Sequence, residues 1–371
     1  MKIDNFKVED WFNKYEKSAK YDMADTCVEP FTLREFFNIV GDEELHYEYL
    51  MNKKLNYGDI QGSERLKTAI KSLYKNININ NITVTHGGIG ANQLVMLSLI
   101  EPDDKVVSIL PAYQQHYSIP KSLGADVRYV FLKEHNNWLP ELNELRAVTD
   151  KNTKLICMTN PNNPTGSVMP DEYLNEIINI ARENEAYILC DEVYRGQEHN
   201  GIVSKSIADI YEKGISTGSM SKLFSLAGLR LGWIVAPDDV IPEIIKQREY
   251  NTISVGIIDD YISAVAIENK NKIMSRNLRK ILDGKQILSN WIDREKHISW
   301  VEPNGGTTAL LRYDIDMPSV ELCEKLLNET GVLFLPASTL EMEGYLRVGY
   351  CGDLIKLQAG LKKFSEWMRL R

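Results

Sequence analysis

A lysine and an arginine stand close together in one short segment. Lys222 follows two serines, Ser219 and Ser221, and Arg230 comes eight positions after the lysine. A neutral lysine amine is a nucleophile, while hydroxyl groups and a guanidinium can bind an anion. The segment therefore indicates an anion site with a reactive amine beside it, although a solvated surface lysine is the simpler alternative.

An acid and a tyrosine follow an apolar run earlier in the chain. Asp191 directly follows Leu189 and Cys190, and Tyr194 comes three positions later. A carboxylate at the end of a buried strand is costly unless it has a partner. Asp191 could therefore hold a bound group, or it could cap a helix, which is the commoner role of such an aspartate.

Three further motifs also follow apolar runs. Gly88-Ile89-Gly90 precedes a helical pattern, so its backbone N–H groups could bind an anion, although the spacing fits neither a Walker loop nor the dinucleotide fingerprint. Tyr113 closes another run and could stack on a flat ring. Asn163 stands in a turn that two Asn-Pro steps make rigid, and its amide can donate and accept hydrogen bonds. An ordinary turn or a core tyrosine explains each motif as well.

Short apolar runs alternate with amphipathic stretches between about residues 80 and 240. They predict strands at 82–85, 105–110, 127–131, 154–159, 187–191, 214–219 and 231–236. Apolar strands that alternate with helices are typical of an α/β fold, with a mostly parallel sheet covered by helices on both faces. Ligands of such sheets bind beyond the carboxyl ends of the strands, which is where the side chains above stand in the sequence.

The pattern changes after residue 240. A long, interrupted helical stretch leads to short half-polar strands near 298–302, 307–312, 332–335 and 345–349. These elements predict a smaller α+β domain that N-terminal residues complete. We therefore expect a large domain over residues 45–260 and a small domain formed by residues 1–44 and 261–371.

Composition and charge argue against several classes of partner. The 371 residues include 43 Lys+Arg and 52 Asp+Glu, and the net charge of −9 disfavours a nucleic-acid groove or an anionic membrane surface. No apolar run approaches the ~20 residues that span a bilayer, and the first residues lack the apolar core of a secretory signal. The five cysteines are scattered without a C-x-x-C pair. We therefore expect no metal site, no disulfides and a cytoplasmic location.

In combination, these motifs resemble those of the class I/II pyridoxal-phosphate-dependent aminotransferases of fold type I. The resemblance covers about residues 45 to 350, and the motifs occur in the order that the family shows. They are Tyr57 to Gly62, Gly88 to Ala91, Pro111-Ala112-Tyr113, Asn163-Pro164-Thr165-Gly166, Asp191 to Tyr194, Ser219-Met220-Ser221-Lys222 through Arg230, and Tyr345-Leu346-Arg347.

The resemblance implies that Lys222 binds pyridoxal phosphate (PLP) as an internal aldimine and then moves the proton at the substrate Cα. Such an amine must be partly neutral near pH 7, so we expect burial and neighbouring positive charge to lower its pKa. Asp191 would pair with the pyridine nitrogen, and Tyr113 would stack on the ring. Tyr194 and Asn163 would hydrogen-bond the phenolic oxygen of the ring.

The resemblance also implies how the phosphate is bound and that two subunits share the site. A helix N-terminus supplies only about +0.5 charge against the −1.5 to −2 or so of a phosphate. Arg230, Ser219 and Ser221 would therefore add to the turn formed by Gly88, Ile89 and Gly90. Tyr57 would reach the phosphate of a partner subunit, so a homodimer is expected.

Substrate recognition is where the sequence departs from the family pattern. Arg347 would bind the substrate α-carboxylate in a bidentate fork, with an exposed strand arginine as the alternative. The Gly-Glu-Pro segment of many relatives reads Cys27-Val28-Glu29-Pro30 here, and His86 precedes the glycine turn. We hypothesise that Glu29 favours a substrate with a cationic side chain.

The leading function is transfer of an amino group from an L-amino acid to a 2-oxo acid by a ping-pong mechanism. A β-eliminating C–S lyase, or a cyclase similar to capreomycidine synthase, would use the same Lys222 and Asp191, because these reactions share deprotonation at Cα. A non-catalytic PLP-binding regulatory domain is a remoter alternative, for which no helix-turn-helix or basic stripe is visible.

Overall fold

The computed structural model describes residues 2–371, which form helices around three β-sheets. The helices are α1 (Lys7–Tyr15), α2 (Leu33–Val40), α3 (Glu43–Met51), α4 (Glu64–Lys71), α5 (Gly87–Leu99), α6 (Gln115–Ser122), α7 (Leu142–Val148), α8 (Asp171–Glu183), α9 (Ile207–Ile210), α10 (Ile241–Glu249), α11 (Ile257–Glu268), α12 (Lys270–Ile292), α13 (Ser319–Thr330) and α14 (Leu354–Met368). The strands are β1 (Tyr21–Asp22), β2 (Ile82–His86), β3 (Lys105–Leu110), β4 (Asp126–Phe131), β5 (Thr153–Thr159), β6 (Tyr187–Asp191), β7 (Gly214–Ser219), β8 (Leu231–Val235), β9 (Ile298–Trp300), β10 (Thr308–Tyr313), β11 (Val332–Leu333), β12 (Leu335–Pro336) and β13 (Tyr345–Gly349).

The largest sheet has seven strands in the order β2-β8-β7-β6-β5-β3-β4. β7, β6, β5, β3 and β4 run parallel, and β8 runs antiparallel to both of its neighbours. The predicted α/β fold with a mostly parallel sheet is therefore confirmed, and each of the seven predicted strands is present within a residue or so of its expected limits.

Apolar side chains on both faces explain why these strands read as continuous apolar runs. Ile156 and Ile188 pack on one face in a core with α8, whereas Cys157 and Leu189 pack on the other face with α5 and α10. Successive side chains of a strand point to opposite faces. A strand covered on both sides must therefore be apolar throughout.

The C-terminal part forms a separate four-stranded antiparallel sheet, in the order β12-β13-β10-β9. It shares a core with α1, α13 and α14. The helical stretch predicted after residue 240 consists of three helices, α10 to α12. The chain leaves the helical conformation between α10 and α11, at residues 250–256, and between α11 and α12, at Asn269.

N-terminal residues divide between the two cores. Val8 and Trp11 of α1 pack with the four-stranded sheet, whereas Phe36 and Phe37 of α2 pack with α4 and α11 against the large sheet. The domain limits expected at residues 44/45 and 260/261 stay a prediction, and this packing associates α2 with the larger unit.

Three further observations concern residues 2–371 as a whole. No helix in this range is long and apolar enough to cross a membrane. The same residues contain no cluster of three or more His, Cys, Asp or Glu side chains that could hold a metal ion. All five cysteines are free.

Candidate active site

The candidate active site lies at the carboxyl edge of the large sheet. β5, β6 and β7 end side by side there, at Thr159, Asp191 and Ser219. A cavity of about 470 Å³ opens at this edge, between the large sheet and the C-terminal unit. Most of the residues that the sequence singled out line this cavity, namely Gly88, Ile89, Tyr113, Asn163, Asp191, Tyr194, Ser219, Ser221, Lys222, Arg230 and Arg347.

Lys222 follows β7 and points toward the N-terminal segment that crosses the cavity. Its Nζ donates to Thr26 Oγ1 at 2.5 Å and to Cys27 Sγ at 3.2 Å. Burial alone would lower the pKa of Lys222, but the acidic groups of Tyr194, Cys27 and Asp25 outweigh burial and raise it above its ordinary value. The expected lowering of this pKa is therefore wrong for the chain itself, because hydrogen-bond acceptors and acidic groups next to the amine favour its protonated form.

Asp191 is buried, with 6% of its surface exposed. Its carboxylate accepts hydrogen bonds from Asn92 Nδ2 at 2.8 Å and from the Val193 N–H at 3.1 Å. Burial raises the pKa of Asp191, while these two bonds and the charge of Lys222 oppose the increase. Thr217 fixes the orientation of the Asn92 amide by donating to its Oδ1 at 2.7 Å. The carboxylate is thus held rigidly, and its aspartate does not cap a helix.

Asn92 is a site residue that the sequence reasoning missed. It stands four positions after Gly88 on α5, so both lie on the same side of the helix. The signal that could have found it is this spacing, because a polar side chain one turn into a helix that starts at the sheet edge faces the strand ends.

The first turn of α5 comes very close to β7. A Cβ atom at Gly88 would lie 3.0 Å from Val193 Cγ1 and 3.5 Å from Ser219 Cβ, so a larger residue would require Val193 to move by a few tenths of an ångström. Ser219 is buried, and its Oγ accepts from the Ser221 N–H at 3.2 Å. Free N–H groups of a helix start and a serine hydroxyl therefore share one corner of the cavity.

Arg230 adds a positive charge to the same corner. Its guanidinium packs beside Gly87, where a Cβ atom would lie 3.0 Å from Nη2. Its one hydrogen bond to the described chain joins Nη1 to the Ala227 carbonyl at 3.0 Å, and the side chain is otherwise exposed. The guanidinium therefore retains donors for an anion.

Arg347 enters the cavity from β13 of the four-stranded sheet. It is 2% exposed, donates from Nη2 to the Ala24 carbonyl at 2.9 Å, and contacts Asn163 Oδ1 at 3.4 Å. Burial lowers the pKa of this guanidinium, which remains charged because its ordinary pKa is so high. Its Nε and the buried hydroxyl of Tyr194 have no hydrogen-bond partner among the described residues.

The N-terminal helix α1 closes part of the cavity, which the sequence reasoning did not predict. Val8, Glu9 and Phe12 line the cavity, and Glu9 Oε1 accepts from the Tyr113 hydroxyl at 2.6 Å. The ring of Tyr113 also packs against Phe6, with 4.7 Å between centroids. No local pattern marks these residues, since the tertiary fold alone brings them to the sheet edge.

Four residues that the sequence proposed lie outside this cavity. Glu29 pairs with Lys280 at 2.5 Å and does not line the cavity, so the structure does not support its expected role toward a cationic substrate. Lys280 belongs to α12, so the Glu29 carboxylate lies against that helix instead. His86 and Gly90 also do not line it, and Tyr57 is 76% exposed on the surface of this single chain.

Residues 41–364 match the family model described as "Aminotransferase class I and II". A solved structure of a PLP-dependent aminotransferase from Streptococcus suis is 41% identical, with a TM-score of 0.97 over 100% of this chain and 99% of that chain. Capreomycidine synthase from Streptomyces vinaceus is 28% identical over 97% of this chain and 92% of its own length. An aspartate aminotransferase from Pyrococcus horikoshii is also 28% identical, over 84% of this chain and 82% of its own length. The chain belongs to the class I and II aminotransferase family, whose members are PLP-dependent enzymes.

The residues of the cavity fit this cofactor. The cavity contains the amine of Lys222 and the fixed carboxylate of Asp191. It also contains the corner where the first turn of α5, Ser219 and Arg230 meet, which we call the anion corner. The buried Tyr194 hydroxyl and Arg347 Nε have hydrogen-bonding capacity that the described chain does not use. Unpartnered buried polar groups of this kind are typical of sites that bind a polar ligand.

Proposed function

We propose that the protein transfers the amino group of an L-amino acid to a 2-oxo acid by a ping-pong mechanism. The observation that carries this proposal is the convergence of Lys222, Asp191 and Arg347 on one cavity from three separate parts of the chain. An amine, a fixed carboxylate and a buried guanidinium are the groups that this chemistry requires.

Each side chain of the cavity has a proposed part in holding PLP. The Lys222 amine would join it covalently, Asp191 would face the pyridine nitrogen, and Tyr113 would stack on the ring. Asn163 and Tyr194 would hydrogen-bond its phenolic oxygen. The anion corner, which comprises Gly88, Ile89, Ser219, Ser221 and Arg230, would bind the phosphate. When bound, the cofactor supplies an electron sink that makes the substrate Cα proton acidic.

The protein's own groups then position the substrate and move its proton. Arg347 would bind the α-carboxylate of the substrate through two parallel N–H donors, which fixes the orientation of Cα. The Lys222 amine would take the proton from Cα and would deliver it to the carbon on the cofactor side of the transferred nitrogen, two bonds from Cα. Thr26 Oγ1 and Cys27 Sγ accept from this amine and would hold it at the cavity wall when it is free. The same steps in reverse, with a 2-oxo acid as acceptor, complete the cycle.

We propose a homodimer as the functional unit, with Tyr57 reaching the site of the partner. Leu55 and Ile60, which stand within three positions of Tyr57 in the chain, are also exposed apolar side chains, at 78% and 54%. Such a patch is typical of a surface that another protein covers.

A cyclase or a β-lyase is the second candidate. The similarity to capreomycidine synthase spans 97% of this chain, whereas the aspartate aminotransferases from two Pyrococcus species and Thermotoga maritima match 84–87% of it. The cavity also includes N-terminal residues of α1, such as Glu9 and Phe12. The broader match to capreomycidine synthase and the presence of α1 residues in the cavity are the two observations that favour this candidate.

One experiment separates the candidates. The purified PLP-loaded protein is mixed with single amino acids, and its visible spectrum is followed with and without 2-oxoglutarate or pyruvate as acceptor. Amino transfer predicts bleaching that the 2-oxo acid reverses, together with a new amino acid. Ammonia or a cyclic product formed without any acceptor would instead support the second candidate, and a protein that binds no PLP would contradict both.

A further inference from the structure

Two carboxylates line the cavity among the residues that the structure describes, and they differ in position. Asp191 is buried at the end of β6, whereas Glu9 projects from α1 and is exposed at the cavity mouth. The proposed function uses Asp191 but leaves Glu9 without a role. Its carboxylate accepts one hydrogen bond, from the neutral hydroxyl of Tyr113.

The helix that carries Glu9 is held firmly in place. The Lys7 N–H donates to Gln114 Oε1 at 2.8 Å, and Gln114 Nε2 donates to the Asn5 carbonyl at 2.8 Å. On the other side, Trp11 is buried and its Nε1 donates to the Phe334 carbonyl at 3.1 Å. Glu9 is therefore a fixed part of the cavity wall and not the side chain of a frayed terminus.

Charge balance within the cavity leaves Glu9 unpaired. In the proposed function, Arg230 would pair with the phosphate and Arg347 with the substrate α-carboxylate. Asp191 would pair with the protonated pyridine nitrogen. The carboxylate of Glu9 is then left without a cation in the cavity to pair with. A carboxylate forms its strongest hydrogen bonds with charged donors, which are about twice as strong as those with a neutral phenol.

The surroundings of Glu9 also suit a particular shape of partner. Val8 and Phe12, its neighbours on α1, present apolar surface to the same cavity. A side chain with an alkyl stem and a charged tip could lie along these residues and place its tip at Glu9.

From these observations we propose that Glu9 is a specificity residue that selects L-amino acids whose side chain ends in an ammonium or guanidinium group. This inference rests on the proposed function, because it assumes that Arg347 fixes the other end of the substrate. Glu9 acts here in place of Glu29, whose carboxylate is engaged by Lys280.

The test compares matched pairs of ligands on the PLP-loaded protein. L-arginine is compared with L-citrulline, and L-lysine with L-norleucine, so that each pair differs in charge while keeping nearly the same length. Apparent affinity is measured by isothermal titration calorimetry and by the change in the visible spectrum. We expect the charged member of each pair to bind about tenfold more tightly, since an ion pair at a cavity mouth is partly screened by water.

Variants of α1 provide the control. Glu9→Gln should bring each pair to within about twofold, and Glu9→Lys should favour L-glutamate over L-lysine. Asp10→Asn removes an exposed carboxylate next in sequence that does not line the cavity, and it should leave the preference unchanged.

The two proposals fail in different ways. Equal binding within each pair, or a preference that survives Glu9→Gln, overturns the role of Glu9 even when amino transfer proceeds. Preferential binding of the cations that Glu9→Gln abolishes supports it even when no amino group is transferred, and in that case only the proposed function falls.

Discussion

Two cavities of nearly equal size adjoin the end of β6, yet only one has the features of a reactive site. The active-site cavity has a volume of about 470 Å³, and the second, between the segment that follows α4 and helices α9 and α12, has a volume of about 480 Å³. They share Val193 and Ser219 as walls. Asp191 lines the first and its neighbour Glu192 lines the second, because successive side chains at a strand end point to opposite sides.

The polar groups of the second cavity bind one another. Glu192 accepts from Ser216 Oγ at 2.8 Å, from Ser206 Oγ at 3.0 Å and from the Ile207 N–H at 2.8 Å. Arg195 likewise donates to two backbone carbonyls. These groups stabilise the fold and have little capacity left for a ligand.

The active-site cavity differs because several of its buried polar groups lack partners. The Tyr194 hydroxyl and Arg347 Nε are both unpaired within the described chain, and both residues line this cavity. The comparison teaches that unsatisfied hydrogen-bonding capacity, and not volume, distinguishes the reactive site.

The largest difference in turnover is expected between variants of two lysines, one in each cavity. Lys222→Ala should lower turnover by about 10⁴-fold, because it removes both the covalent attachment and the proton-moving group. Lys270→Ala alters a lysine of the second cavity and should leave turnover within twofold. Steady-state kinetics of amino transfer, with bound PLP quantified for each variant, checks the pair. Comparable losses in both variants would contradict the distinction between the cavities.

Variants of the neighbouring carboxylates Asp191 and Glu192 should differ in their effects, one on turnover and the other on stability. Asp191→Asn should lower kcat by about 10³-fold with little change in unfolding, since an amide cannot hold a proton at the pyridine nitrogen. Glu192→Gln should instead lower the free energy of unfolding by about 1–3 kcal/mol, because charged hydrogen bonds to Ser216 and Ser206 become weaker. Urea titrations give the free energy of unfolding, and steady-state kinetics on the same preparations give kcat. A loss of stability in Asp191→Asn together with a loss of kcat in Glu192→Gln would refute the prediction.

His116 is an exception to this rule, because both of its buried ring nitrogens lack a hydrogen-bond partner among residues 2–371 although it lines neither cavity. Burial lowers its pKa from 6.5 to about 4. The unfolded chain therefore takes up a proton near pH 6.5, whereas the folded chain does so only near pH 4. Stability from this group is complete above pH 6.5 and falls by about 3 kcal/mol as the pH decreases to 4.

The His116→Phe variant tests this effect. The free energy of unfolding of the PLP-loaded protein is measured at pH 7 and pH 4.5, and the variant should lose less stability on acidification than the wild type. His135→Asn, which changes an exposed histidine, should follow the wild type. An unchanged acid response in His116→Phe would show that this ring is not the responsible group.

The smallest effect is expected when the shape of one cation changes but not its charge. Arg347→Lys should lower kcat/KM about thirtyfold, near 2 kcal/mol, because an ammonium cannot form the bidentate fork to a carboxylate. The loss should appear mainly in KM, since the interaction exists before and during the reaction. A variant with unchanged KM would argue that Arg347 does not bind the substrate carboxylate.

Much of the fold and part of the site could be predicted from the sequence. The seven strands of the large sheet are continuous apolar runs with clear ends, so their limits were predicted to within a residue or so. Side chains at strand ends, such as Asp191 and Ser219, could be associated because parallel strands share an edge. Their catalytic and binding roles stay predictions until the variants above are measured.

Residues from outside the sheet could not be identified in this way. Glu29 was selected from a local motif, but in the fold its carboxylate meets Lys280. Glu9 and Thr26 carry no local signal, and the packing of α1 and the following segment against the cavity alone reveals them. The direction of the Lys222 pKa shift was also mispredicted, because it depends on Tyr194, Cys27 and Asp25, which only the fold brings near the amine.

The sequence by itself determined the alternating strands and helices and the family, and it singled out Lys222 as the proposed reactive lysine, because these inferences depend on apolar periodicity and on residues close together in the chain. The tertiary structure decided which of two adjacent carboxylates faces the reactive cavity, and which glutamate stands at its mouth. Those outcomes depend on contacts between segments more than a hundred residues apart, such as Glu9 with Tyr113 and Arg347 with Ala24, and no local pattern encodes them.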